Sequence, residues 1–343
     1  MHRPLRLTCS TDALIANWRA LAGRAGVACG AAIKADGYGL GARPVFDALY
    51  AAGCRDFFLS TWWEVGELGT VPPDAFVSVL HGLGPDDVAA ALLWTNVRPV
   101  LNSARQAQRW KQIAPERECD VMIDTGMNRL GLRQEEASAL TGLNIHTLHS
   151  HLACADEDHD LNQLQLERFR SAASGVAAKR YSLANSAGIF LGGDYSFDLV
   201  RPGLALYGGS PRPEARELVR PVARLEAQVV QRRVIREGES CGYGGRFVAQ
   251  ADTEVAIVNL GYADGYWRGF SECGKADMGG IDLPVLGRVS MDLVALGCDD
   301  APELAEGDWA SLHFGLEEAA AASGMSQYEL LTGLGRRFER LWH

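Results

Sequence analysis

Over the first two hundred residues, short β-branched or apolar runs alternate with Ala- and Leu-rich stretches of helical period. Strands are predicted at residues 27–33, 56–60, 76–80, 97–101, 119–123, 145–150, 179–183 and 199–207. Helices are predicted between them, at 44–52, 63–69, 85–93, 103–113, 134–140 and 160–178. In the last of these, Leu161, Leu164, Phe169 and Ala172 fall near helical spacing. Eight strands with intervening helices argue for an α/β fold of the (β/α)8 TIM-like barrel type, with a doubly wound open sheet as the alternative. Beyond Pro211-Arg212-Pro213 the pattern changes. Runs at 229–235, 254–260, 283–288 and 309–314, divided by Gly, Asp and Pro turns, read as strands without helical crossovers, hence a separate C-terminal mostly-β domain. A short helix at 327–334 is expected to close the chain. The expected division is residues 10–215 for the barrel and 216–343 for the β domain.

Length agrees with two domains, since 343 residues exceed the roughly 150 of a typical single one. With 47% hydrophobic and 22% charged residues, disorder, collagen and coiled coil are excluded. A net charge of −10 disfavours nucleic acid and anionic membranes as partners. No apolar run approaches the ~18 residues of a membrane span, and no apolar signal region follows Met1; a cytoplasmic protein is expected. The eight cysteines form no C-x-x-C pair, which argues against zinc ribbons and redox motifs and suits a reducing compartment.

Candidate chemistry begins where the first predicted strand runs into Ala31-Ala-Ile-Lys34-Ala-Asp-Gly-Tyr38-Gly-Leu-Gly41. Functional groups of an α/β barrel sit at the C-terminal ends of its strands. A lysine there points into the barrel mouth, where desolvation lowers its pKa and frees its lone pair for Schiff-base chemistry. The alternative is a snorkelling lysine beside a glycine-rich loop.

This segment resembles the pyridoxal-phosphate lysine motif of the alanine racemase family, and further motifs follow in the family's order. They are Asp124-Thr-Gly-Met-Asn-Arg129, His149-Ser-His151-Leu-Ala-Cys-Ala-Asp156, Ala184-Asn-Ser186, and Val200-Arg201-Pro-Gly203-Leu204. Gly242-Tyr243-Gly244, Gly261-Tyr262-Ala-Asp264-Gly-Tyr-Trp-Arg268 and Gly287-Arg-Val-Ser-Met291-Asp292 complete the series. The resemblance runs from about residue 5 to the end. It implies a barrel followed by a β domain that a first strand, at about 3–9, also joins. It further implies racemisation of alanine, pyridoxal 5'-phosphate as cofactor, and a homodimer with active sites shared between subunits. The D-alanine would feed peptidoglycan or be used catabolically.

By the same resemblance, Lys34 holds the cofactor and then acts as one base. Tyr243 is the second base and comes from the partner subunit. Two bases on opposite faces of one Cα are what racemisation needs. An ordinary tyrosine titrates near ~10, so this role calls for a neighbouring cation. Arg201 lies against the pyridine nitrogen; a guanidinium does not readily give up its proton, so the ring stays a weak electron sink. Phosphate contacts fall on Tyr38, Ser186, Tyr328 and the backbone N–H groups of Gly203 and Leu204. His151 lies against the ring and bonds Arg201. Arg129 and the Met291 N–H grip the substrate carboxylate, and Asp292 supports the Met291 loop. Asp156, Tyr262 and Arg268 resemble residues of the substrate-access channel. One position departs from the family. Many members carry a lysine two residues before the Asp-Thr-Gly-Met motif, and its carbamate orients the substrate arginine. Here that residue is Met122, so Arg129 is left to another acceptor, a bound anion or nothing, and substrate selectivity is the property affected.

Other readings of the same residues exist. A racemase of another small amino acid such as serine would use the same machinery. His149 and His151 share one strand face, and with Cys154, Asp156, Glu157, Asp158 and His159 they are a candidate metal cluster for a barrel hydrolase or a D-amino-acid lyase. No metal is expected if the racemase reading holds. Gly269-Phe-Ser-Glu-Cys-Gly274-Lys275 nearly matches a phosphate-binding loop but lacks the Ser or Thr and the helix that should follow, and it reads as a turn.

Overall fold

The computed structural model describes residues 2–343. They form two compact units: residues 14–38 with 42–220, and residues 2–13 with 39–41 and 221–343.

The first unit is built on a parallel sheet. Its strands, in spatial and chain order, are Ala31–Ala32, Asp56–Leu59, Phe76–Val79, Val97–Leu101, Glu118–Met122, Asn144–His149 and Arg180–Ser182. The eighth position is Leu199–Val200, parallel to Ala28–Cys29. It is joined to its neighbours on one side by Gly30 N–H to Val200 O and Ala32 N–H to Pro202 O. On the other side Asp198 N–H donates to Tyr181 O and Arg201 N–H to Ala184 O. The ring is therefore an eight-position TIM-like barrel. Helices Ala42–Ala52, Trp62–Leu68, Val88–Leu93, Ala104–Ile113 and Asp160–Gly175 are the crossovers. Their starts are written locally: Ser103 accepts from Gln106 N–H, and Thr61 and Glu64 form a reciprocal capping box.

The inside of this barrel is not purely apolar. Ser78, Arg98, Asp120, Thr147 and His149 are all buried. Asp120 accepts from Ser78 Oγ at 2.5 Å and Thr147 N–H at 3.0 Å, with Arg98 Nε at 3.4 Å. Burial alone would raise the Asp120 carboxyl, yet the Arg98 charge and the His149 and Ser78 contacts outweigh it and hold it below the usual range. His149 Nε2 lies 3.7 Å from the same carboxylate and is pushed down to about 4, chiefly by burial.

The second unit is a mainly antiparallel sheet of eight strands around the long strand Ala223–Ile235. That strand pairs with Leu5–Cys9, Thr253–Val258 and Trp309–Leu312. Leu5–Cys9 also pairs, in parallel, with Glu339–Trp342. Alternation in Leu5–Cys9 buries Leu5, Leu7 and Cys9 on one face. No helix among the described residues is long and apolar enough to cross a membrane.

Several expected elements differ. The segment 199–207 is a strand only at Leu199–Val200, because Pro202 offers no N–H and the Gly203 amide donates to Ser186; Leu204–Tyr207 is then a 3-10 helix. Gln134–Leu140 is 3-10 rather than α-helical. The helix at 327–334 is shorter, Gln327–Thr332, and the strand Glu339–Trp342 lies beyond it. Helices Thr11–Ala25 and Leu316–Ser323 and strands Lys275–Met278 and Val294–Gly297 were not expected.

Candidate active site

In the barrel unit, the strand Ala31–Ala32 delivers Lys34 to the barrel mouth. The chain then winds left-handed through Ala35, Asp36, Gly37 and Tyr38, at φ of +53, +53, +62 and +54°. Three of these are not glycine, and each costs about 1–2 kcal/mol relative to the right-handed region. Three hydrogen bonds hold the turn: Ala35 N–H to Glu64 Oε1 at 2.8 Å, Gly37 N–H to Ile33 O at 2.8 Å, and Ala42 N–H to Asp36 Oδ1 at 2.9 Å. The turn buries Tyr38, whose ring stacks on Tyr207 at 4.7 Å. A Cβ on Gly203 would fall 2.2 Å from the Tyr38 hydroxyl oxygen, so only glycine admits that hydroxyl here. Beside it, Ser186 Oγ accepts from Gly203 N–H at 2.9 Å and Ala205 N–H at 3.2 Å.

The charges around Lys34 are lopsided. Its amine is held below the ordinary lysine range, first by burial and then by Arg129 and Arg201, with Glu64 opposing them. Burial, Arg201, Arg129 and Lys34 push His151 down to about 3. Arg201 is buried and lowered to about 10 by desolvation, yet a group at 10 is still charged at neutral pH. Its guanidinium donates to Ser182 Oγ, to Ser150 O at 2.5 Å and to Leu183 O at 3.4 Å. These are the contacts found in place of the expected bond to His151. No carboxylate lies within ion-pair distance of Arg201 among the described residues. Basic groups thus converge on a mouth short of anions.

Arg129 stands on a rigid loop. Asp124 Oδ1 accepts from the N–H groups of Gly126, Met127 and Asn128 at 2.9–3.1 Å, and Asp124 N–H donates to Leu132 O. The arginine side chain is exposed and has no hydrogen-bond or ion-pair partner among the described residues, with Met122 buried below the loop. Asp156 is exposed on the loop after Asn144–His149. His149 faces inward to Asp120, and the described residues contain no group of three or more His, Cys, Asp or Glu arranged to hold a metal.

In the β unit, Tyr243 is the tip of the hairpin between Ser240–Cys241 and Phe247–Val248, and it is 66% exposed. Gly242, Gly244 and Gly245 around it have φ of +74, +77 and +55°, a run that glycine alone adopts at little cost. The Arg288 guanidinium packs beside Gly244. Elsewhere in this unit the 261–264 turn crosses the 290–292 turn: Tyr262 N–H donates to Ser290 O and Ala263 N–H to Met291 O, both at 3.0 Å. A Cβ on Gly261 would fall 2.2 Å from Met291 O. Met291 is 53% exposed. Arg337 ties the two turns together. It donates twice to the fully buried Asp264, at 2.6 and 2.7 Å, and once to Asp292 at 2.7 Å. Arg268 lies over the Tyr262 ring at 5.2 Å. Tyr328 is exposed on Gln327–Thr332, a helix opened by a Ser326–Glu329 capping box.

The barrel unit therefore gathers Lys34, Tyr38, His151, Ser186, Arg201 and Gly203, while the β unit gathers Tyr262, Met291 and Asp292 and carries Tyr243 on a separate hairpin. Sequence reading missed Glu64 and Arg337. Glu64 had a visible signal in Thr61-x-x-Glu64; Arg337 had none, because both of its carboxylate partners are distant in the chain.

Residues 9–211 match the alanine racemase N-terminal domain family, and residues 222–342 match the alanine racemase C-terminal domain family. The chain is 40% identical to the alanine racemase of Acidiphilium cryptum, over 99% of both chains. It is 41% identical to both the biosynthetic and the catabolic alanine racemase of Agrobacterium fabrum, over 98% and 97% of this chain and 93% and 91% of theirs. The solved structure of alanine racemase from Bartonella henselae, with covalently bound pyridoxal phosphate, matches with a TM-score of 0.92 at 33% identity, over 100% of both chains.

Proposed function

The chain belongs to the alanine racemase family, and on that premise we propose that it interconverts L- and D-alanine with Lys34 and Tyr243 as the two bases. One observation carries the assignment of the barrel mouth: Lys34 and His151 are both held down there by Arg129 and Arg201, and among the described residues no carboxylate lies within ion-pair distance of Arg201. That donor set suits a phosphate ester, a pyridine nitrogen and a carboxylate, and so it fits pyridoxal phosphate with an amino acid. When bound, this cofactor supplies an electron sink for the pair left at Cα when the α-proton leaves.

The protein's own groups do the rest. Lys34, already below the lysine range, would carry the cofactor, and its amine would take or return a proton on one face of Cα. Ser186, Tyr38, Tyr328 and the Leu204 amide would hold the phosphate, with the Gly203 amide, which donates to Ser186 Oγ, beside them. His151, held neutral by burial and the neighbouring cations, would lie against the ring without adding charge. Arg201 would face the pyridine nitrogen as an N–H donor that keeps its own proton, which would disfavour side reactions beyond proton removal and return. Arg129 and the Met291 N–H grip the carboxylate, with Asp292 supporting that turn. Asp156, Tyr262 and Arg268 line the access channel.

Tyr243 serves the opposite face, in the Lys34 site of a second copy. Its exposure at a hairpin tip supports this sharing. The product D-alanine supplies peptidoglycan or is consumed as a nutrient. Chiral analysis after incubating the protein and pyridoxal phosphate with L-alanine, and L-serine in parallel, tests the reading. A near-equal mixture of alanine enantiomers is expected. D-serine alone would reassign the substrate and implicate the Arg129–Met122 region; no D-isomer from either would overturn the assignment.

A further inference from the structure

Glu64 is a capping residue with a second attachment. One carboxylate oxygen closes the capping box by accepting from Ser60 N–H at 2.6 Å and Thr61 N–H at 3.1 Å. The other accepts from Ala35 N–H at 2.8 Å, 29 residues back in the chain. A helix cap needs only the first of these. The second falls on the amide directly after Lys34, at the first residue of the left-handed turn. A charged acceptor on a backbone amide is about twice as strong as a neutral one, and here it holds a backbone conformation that Ala35 does not favour. Both ends of the device are fixed: Ser60 directly follows the strand Asp56–Leu59, and Lys34 lies just past Ala31–Ala32, its parallel neighbour.

Resting on the reading that Lys34 carries the cofactor, we propose that Glu64 is a positioning residue for Lys34, fixing the turn that aims its amine and supplying a negative charge beside it. The other groups facing Lys34 come from different strand ends. They are Arg129 after Glu118–Met122, His151 after Asn144–His149, and Arg201 after Leu199–Val200. Arg129 and Arg201 are cations, and His151 is held neutral. Among the described residues Glu64 alone favours the proton on the lysine nitrogen.

The test uses the cofactor-loaded enzyme and reads two quantities besides turnover: the pH midpoint of the cofactor's visible absorbance band and the rate of cofactor loss on dilution. Glu64→Gln keeps the size, removes the charge and leaves a single oxygen for two sets of donors. It is expected to move the midpoint down by about half a pH unit or more and to speed cofactor loss several-fold. Glu64→Asp, which keeps the charge, should restore most of the midpoint. Thr61→Ala breaks the other half of the capping box without touching Ala35. It should lower the melting temperature and leave midpoint and cofactor loss where they were. An unmoved midpoint in Glu64→Gln, or an equal shift in Thr61→Ala, would reduce Glu64 to a helix cap and overturn the proposal. Lys34→Ala separates this from its premise. A band that survives that change removes the Lys34 reading and takes the proposal with it, whereas its loss together with an unmoved Glu64→Gln midpoint overturns the proposal alone.

Discussion

The two units carry their candidate residues in opposite ways. At the barrel mouth Lys34, His151 and Arg201 are buried or half-buried on strand ends; burial has already moved all three from their ordinary proton affinities, helped at Lys34 and His151 by neighbouring cations. In the β unit Tyr243 and Met291 sit exposed on turns, placed by backbone rather than by charge. The barrel sets chemistry, because a low-dielectric mouth amplifies each charge. The β unit sets geometry, because an exposed side chain acquires its environment only when something covers it. A change in the barrel should therefore alter what the groups are, and a change in the β unit where they are.

The largest expected effect is in the barrel. Lys34→Ala should abolish the lysine-bound absorbance band and lower racemisation by at least about 10³-fold. Tyr243→Phe should follow, losing about 10²–10⁴-fold in removal of the L-alanine α-proton while the band stays; comparable loss of both would break the contrast. Mixing these two inactive chains should restore part of the activity, since a mixed dimer with shared sites holds one intact Lys34–Tyr243 pair. No recovery in confirmed heterodimers would remove the sharing.

A smaller effect tests the barrel interior. His149 is held at about 4 in the fold and titrates near 6.5 when unfolded, so the unfolded chain binds the extra proton first. Stability is whole above about 6.5 and is lost as pH falls toward 4, at up to about 1.4 kcal/mol per pH unit. His151, at about 3, acts in the same direction. Melting temperatures between pH 4 and 7 should fall toward the acid side, and less steeply in His149→Leu. The smallest effect is in the β unit. Arg337→Gln frees the Met291 turn and should raise KM for alanine about 3- to 10-fold with a lesser change in kcat. A fall in kcat alone would mean that the turn acts on the chemistry and not on binding.

Legibility in the sequence divides along a related line. Barrel strands such as Val97–Leu101 stood out because both faces are buried and the run is continuously apolar apart from Arg98. Lys34, Arg129 and Arg201 were legible because each lies within a local motif at or near a strand end. Helix Thr11–Ala25 was missed although Ser10, which accepts from Ala13 N–H, marks its start. Gln134–Leu140 has helix-forming residues and a Glu136 that folds back onto Arg133 N–H as a helix start would, yet it is 3-10, and nothing local in the sequence marks the difference. Glu339–Trp342 has no alternating pattern; it is a strand because Leu5–Cys9 lies beside it. The Asp120–His149 pair was hidden for the same reason, since a polar residue inside a strand declares its partner only when the sheet closes.

The pairing of Leu5–Cys9 bears on how the chain is made. Its partners are Ala223–Ile235 and Glu339–Trp342, the second reached more than three hundred residues later. The barrel, almost contiguous from 14 to 220, has all its strands once that stretch has left the ribosome. Leu5–Cys9, made before the barrel, then has exposed edges until residues 223–235 and 339–342 arrive. Its sheet is thus completed well after the barrel, with a long loop closed late and an edge that invites mispairing meanwhile. Truncating the chain after 220 should yield a nascent barrel with Leu5–Cys9 still accessible to protease.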